Sequence, residues 1–114
     1  MPKIYYQYRP ATENDRLTAR RKIPLYGMLA IGTFIFLLRN PHDPFTTLYG
    51  SVCAHSVLMV LDAFDPLSGK CNSAFGPSFL DYLLPIQHAE PTWIMLMDAI
   101  ALIIIFREIF FLIT

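Results

Sequence analysis

The sequence predicts an all-α integral membrane protein with three transmembrane helices and an extended N-terminal arm, and three observations predict it. Of the 114 residues, 54% are hydrophobic and only 16% are charged, where a soluble domain carries about 45–50% and about 25%. A chain this short exposes much of its surface and has too few polar groups here to cover it. The mean hydropathy of +0.42 points the same way. Finally, the apolar residues fall into three stretches divided by polar, proline-bearing segments. The length allows one domain and no more.

Residues 1–22 read as a polar, basic arm. Lys3, Arg9, Arg16, Arg20, Arg21 and Lys22 outnumber Glu13 and Asp15 by four, whereas residues 23–114 carry a balance of −4. A basic cluster directly before an apolar run is the positive-inside signature and places the N-terminus on the cytoplasmic or matrix side. Arg20, Arg21 and Lys22 are positioned to meet anionic lipid such as cardiolipin. The chain has no further basic stripe, so nucleic acid is not an expected partner. Glu13 and Asp15 speak against a cleavable transit peptide. "MPKIYYQYRP", with three tyrosines and two prolines, suits a segment that lies along a partner.

The first span is Ile23–Leu38, sixteen uncharged residues bracketed by Lys22 and Arg39. Long cationic side chains reach the headgroups, so a short span is tolerable. Pro24 suits a first helical turn. "RNPHDP" ends the helix because Pro41 and Pro44 cannot continue it.

The second span is Phe45–Phe64, twenty residues, or about 30 Å of helix, the thickness of a bilayer core. Thr47, Ser51, His55 and Asp62 are spaced so that they stack on one face. Gly50 and Ala54 form a small-xxx-small pair beside that stripe, where another helix can approach closely. Leu48, Val52, Val60 and Leu61 make the lipid side.

Residues 65–91 contain four prolines and two glycines and lie outside the hydrocarbon, with a short interfacial helix over about 77–84 built on Phe79, Leu80, Leu83 and Leu84. The third span is Thr92–Thr114. It carries Asp98, Arg107 and Glu108, and charges at such depth are expensive unless protein covers them. Asp98 and Arg107 are half a turn out of phase and cannot pair with each other. The alternative architecture is a two-span hairpin with the third segment in the interface or against a partner.

Chemistry-bearing motifs are scarce. Cys53 and Cys71 lie in different kinds of segment and read as free thiols, and neither has zinc-type company. There is no phosphate loop, nucleophile elbow or metal-protease motif, so no catalytic and no metal residues are expected. His55, mid-span, is a haem ligand, a proton carrier, or a hydrogen-bonding group toward a neighbouring helix. The expected partner contacts are Gly50, Ser51, Ala54, His55, Asp62, Asp98, Arg107 and Glu108.

"DYLLP", Asp81 to Pro85, resembles the Asp-Tyr-x-x-Pro stretch of the smaller membrane-anchor subunit of succinate dehydrogenase. That resemblance implies a quinone-site role for Asp81 and Tyr82 and a haem-ligand role for His55. The family places its histidine about three helical turns before the aspartate, where this chain has Lys70. In size, polar N-terminus, charge-bearing spans and proline-rich segments the chain also resembles supernumerary subunits of mitochondrial respiratory-chain and ATP-synthase complexes. This second likeness implies a non-catalytic subunit of the mitochondrial inner membrane with its N-terminus in the matrix. Its partners are other subunits and lipid, and it binds no cofactor directly.

Overall fold

The computed structural model describes residues 8–72, 82–85 and 93–114. It is helical, with α1 over Glu13–Arg39, α2 over Thr46–Leu67 and α3 over Trp93–Ile113. Two short strands, β1 (Tyr8–Pro10) and β2 (Lys70–Asn72), pair antiparallel with Arg9 opposite Cys71. Helix α2 is the centre of the molecule and packs against both α1 and α3.

Helix α1 starts ten residues before the expected span and absorbs half of the expected arm. Its start is fixed by a capping box: the Thr12 hydroxyl accepts from the Asp15 amide at 3.2 Å, and the Asp15 carboxylate accepts from the Thr12 amide at 2.9 Å. Such a cap satisfies two of the amides that a helix start leaves unpaired and contributes about 1 kcal/mol. Asp15, Thr18, Ala19 and Lys22 are buried, so the basic segment packs inward on one face instead of lying free. Pro24 consequently sits inside the helix, not in its first turn. It can donate no hydrogen bond to the carbonyl one turn earlier.

The turn between α1 and α2 is short, and the two helices form an antiparallel hairpin. The ring of Phe36 meets that of Tyr49 at 4.5 Å, and the Cys53 thiol reaches the Ala30 carbonyl at 3.5 Å. At the far end of α2, Gly69 adopts a φ of 105°, a left-handed conformation that closes a helix at no steric cost. Its carbonyl accepts from the Ala11 amide at 3.0 Å. The β ribbon thus ties the chain ahead of α1 to the chain after α2.

Helices α1 and α2 are long and apolar enough to cross a membrane. Helix α3 is of similar length, with Asp98, Arg107 and Glu108 in it. Buried and exposed residues are distributed in an unusual way. The interior encloses Asp15, Lys22, His55, Asp62 and Asp98, while Met28, Ile31 and Leu38 of α1 and Leu96, Ile103, Phe106 and Ile113 of α3 face outward, each more than half exposed. Water drives large apolar side chains inward. This arrangement is the reverse, as expected where the surroundings are apolar. Of the expected interfacial helix, residues 77–81 lie outside the described residues, and residues 82–84 form a turn.

Candidate functional site

The polar residues inside the bundle form a seam along α2. On α2, Ser51, His55 and Asp62 are buried and share one face, while Thr47, at the start of the same stripe, is exposed. Opposite them α1 contributes Lys22 and Tyr26, one helical turn apart, and α3 contributes Asp98 from a face it shares with buried Ile94 and Ala101.

The seam has two ionisable pairs at different depths. Lys22 Nζ and Asp62 Oδ2 are 2.5 Å apart with both side chains fully enclosed. This corrects the expectation that Lys22 faces lipid headgroups. The antiparallel hairpin brings Lys22 level with Asp62, and an enclosed carboxylate needs a cation. Arg20 and Arg21 stay exposed, as headgroup contact requires. Seven residues earlier on α2, about 10 Å along the axis, His55 Nδ1 lies 2.5 Å from Asp98 Oδ1. This is the link between α2 and α3, with side chains 11% and 2% exposed.

Tyr26 joins the deeper pair to the loop that follows β2. Its ring meets the His55 ring edge-on, with centroids 5.7 Å apart at 88°, a favoured geometry for two π systems. Its hydroxyl donates to the Tyr82 backbone carbonyl. The Tyr82 hydroxyl in turn accepts from Arg21 Nη1 at 3.3 Å. So His55 and Tyr82, two of the three residues implied by the succinate dehydrogenase likeness, come together through Tyr26. The third, Asp81, lies outside the described residues.

The remaining expected contact residues divide. The Ser51 hydroxyl turns back to the Thr47 carbonyl of its own helix at 2.8 Å and bridges to no other helix through that bond. Gly50 is half-buried and the space beside its Cα is open among the described residues. Ala54 is exposed, and a Cβ added to Gly50 would meet nothing within 4 Å. Arg107 donates to its neighbour Glu108 at 3.1 Å and lies 5.0 Å over the Phe111 ring, on an exposed part of α3.

Among the described residues no group of three histidine, cysteine or acidic side chains could hold a metal ion. His55 has Nδ1 engaged by Asp98, so any iron ligation would fall to Nε2, and ligating histidines do commonly carry a carboxylate on the other nitrogen. His42 lies in the turn between α1 and α2, away from the seam. Cys53 and Cys71 are free.

Sequence reasoning missed Lys22 and Tyr26 as members of the seam. Lys22 sits at the edge of an apolar run, where a lysine ordinarily points to water, and Tyr26 has no charge to draw notice. Neither a protein-family model, nor a characterised protein, nor a solved structure matches the chain.

Proposed function

We propose that the chain is a non-catalytic, membrane-embedded subunit of a large energy-transducing complex, of the respiratory-chain or ATP-synthase kind, and that it serves assembly and stability. The proposal places it in the mitochondrial inner membrane with the N-terminus on the matrix side and all three helices spanning. The observation that carries the reading is the outer surface of α3, where a wall of exposed apolar side chains is interrupted by exposed Arg107 and its half-buried partner Glu108. Lipid suits the apolar part and is a poor neighbour for the pair. Covering by other subunits satisfies both. The open small-residue face at Gly50 and Ala54 supports the same reading, since it leaves room for a further helix at close range. The exposed Arg20 and Arg21 at the basic end of α1 suit anionic lipid.

A second reading, a membrane-anchor subunit that contributes to a quinone site, is favoured by one specific observation. Tyr82, at the basic end of the bundle with Arg21 on its hydroxyl, is linked through Tyr26 to the deeper His55 and Asp98. In that reading Tyr82 and Arg21 meet the quinone head and His55 is the haem-side residue.

The two are separated by mass spectrometry of the native-gel band that contains the chain after gentle detergent extraction. The leading reading expects a large assembly in which subunits of a respiratory or ATP-synthase complex accompany the chain. Flavin and iron–sulfur subunits among the companions promote the anchor reading, and Tyr82→Phe then lowers quinone reduction while assembly survives. Migration alone or as a small oligomer contradicts both.

A further inference from the structure

We propose that Arg21 and the Tyr82 hydroxyl, with Arg20 beside them, bind the phosphate of an anionic phospholipid whose acyl chain lies along the outward stripe of α1. The inference rests on the membrane-embedded reading above and goes beyond it by giving the lipid a defined site. A contact between a helix and a distant loop carries it: Arg21 Nη1 donates to the Tyr82 hydroxyl at 3.3 Å. The Tyr82 backbone carbonyl also accepts from the Tyr26 hydroxyl, five residues further along α1. Tyr82 is thus held against α1 by its main chain and by its side chain.

The chemistry of this pair suits a phosphodiester. A guanidinium stays charged and presents five N–H donors in a planar fork. One donor of Arg21 is used on Tyr82, and the others can reach phosphate oxygens in the charge-assisted geometry that favours arginine at such groups. The phenol accepts from Arg21 and keeps its own O–H to donate. The two side chains therefore offer donors from adjacent points. Arg20, next in the chain and also exposed, adds a second charge. Asp15 serves the cap of α1 and Asp62 is enclosed with Lys22, so the outward face of α1 is basic at this end.

Deeper along α1 the same stripe turns apolar. Leu25, Met28 and Gly32 follow Arg21 at four, seven and eleven residues and share its face. Leu25 and Met28 are 58% and 75% exposed. Gly32 is exposed as well, and a Cβ added there would meet nothing within 4 Å, so the track is shallow and open. From Arg21 to Gly32 is about 16 Å of helix, close to one leaflet of a hydrocarbon core about 30 Å thick. A free phosphate has no use for such a track, whereas a phospholipid fills both parts. With a lipid in place Arg21 and Tyr82 are bridged, and the segment ahead of α3 is fastened to α1.

The test uses the tagged full chain in native membranes supplied with photoactivatable phosphatidylglycerol or, separately, phosphatidylcholine, each with the reactive group in its acyl chain. Adducts on the purified chain are mapped by peptide mass spectrometry. The proposal expects adducts within residues 25–32 to be several-fold more frequent with phosphatidylglycerol. That excess falls about five-fold in Arg21→Gln and less in Tyr82→Phe. Arg39→Gln, which removes the same charge at the other end of α1, keeps it. Equal labelling by the two lipids overturns the proposal, as does equal loss in Arg21→Gln and Arg39→Gln. Loss of the excess on adding inorganic phosphate overturns the lipid assignment in favour of a free anion. A chain labelled by neither lipid has this face covered by protein, which overturns the site and leaves the subunit reading standing. The excess on a chain that migrates alone in native gels upholds the site and contradicts the subunit reading.

Discussion

The two buried pairs on α2 use the same acidic residue type with different partners. Near the basic end, Lys22 and Asp62 meet with side chains wholly enclosed. Deeper in the bundle, His55 and Asp98 meet at the same 2.5 Å. The first pair joins α1 to α2 and the second joins α2 to α3. An apolar bundle thus encloses ionisable groups by giving each a partner on the neighbouring helix.

The comparison is broken most severely at the charged pair. Lys22→Met or Asp62→Asn alone breaks the enclosed ion pair, at a cost of about 3–5 kcal/mol. Thermal unfolding of the chain in its native membrane checks this. The double change Lys22→Met with Asp62→Leu is expected to recover most of the loss, because apolar residues of similar volume replace buried ion pairs at little cost. A double variant as unstable as either single one contradicts the account.

At the deeper pair the effects are smaller and depend on what is introduced. Asp98→Ala removes the partner of His55 Nδ1 and leaves a small void, at about 1–3 kcal/mol. Asp98→Asn is expected to cost less, and the difference between the two melting temperatures measures the hydrogen bond to His55. Tyr26→Phe keeps the edge-on ring contact and loses the bond to the Tyr82 carbonyl, at about 1 kcal/mol. Thr12→Ala deletes the cap of α1 for a similar amount, again about 1 kcal/mol, read as a lower melting temperature with the assembly intact. Gly50→Ala is the smallest change within the chain, since the added Cβ meets nothing within 4 Å there. Its effect is expected in the native-gel mobility of the assembly instead.

Much of this architecture was legible in the sequence, and the reasons differ from element to element. The helical extents of α2 and α3 follow from mostly apolar stretches bounded by proline-bearing segments, and they match the expected helices to within three residues at every end. The early start of α1 was not read because Asp15 was counted as a charge of a free arm. With Thr12 it is half of a capping box, and that pairing depends on spacing more than on charge. The β ribbon was also missed. Three-residue strands have too few positions for a period to register.

For the seam, the stripe Ser51, His55 and Asp62 was visible as a helical periodicity, but its partners were not. One of them could have been found. Counting equal numbers of residues outward from the short turn between the first two helices brings Lys22 level with Asp62, and an antiparallel hairpin demands that neighbourhood. The other, Asp98 with His55, depends on how α3 docks after a long connection, and no local pattern fixes that. Tyr26 was unreadable for a different reason: its contribution is a ring edge and a hydroxyl placed by packing alone.

The central claim is that faces left open by this chain are covered by other proteins within a membrane assembly. Photo-crosslinking in native membranes tests it most directly, with a photoreactive residue at position 54, on the open small-residue face, and a control at position 59, where Met59 is fully buried. The account predicts adducts between position 54 and a discrete second protein, and none from position 59. Adducts of position 54 with lipid alone would contradict it.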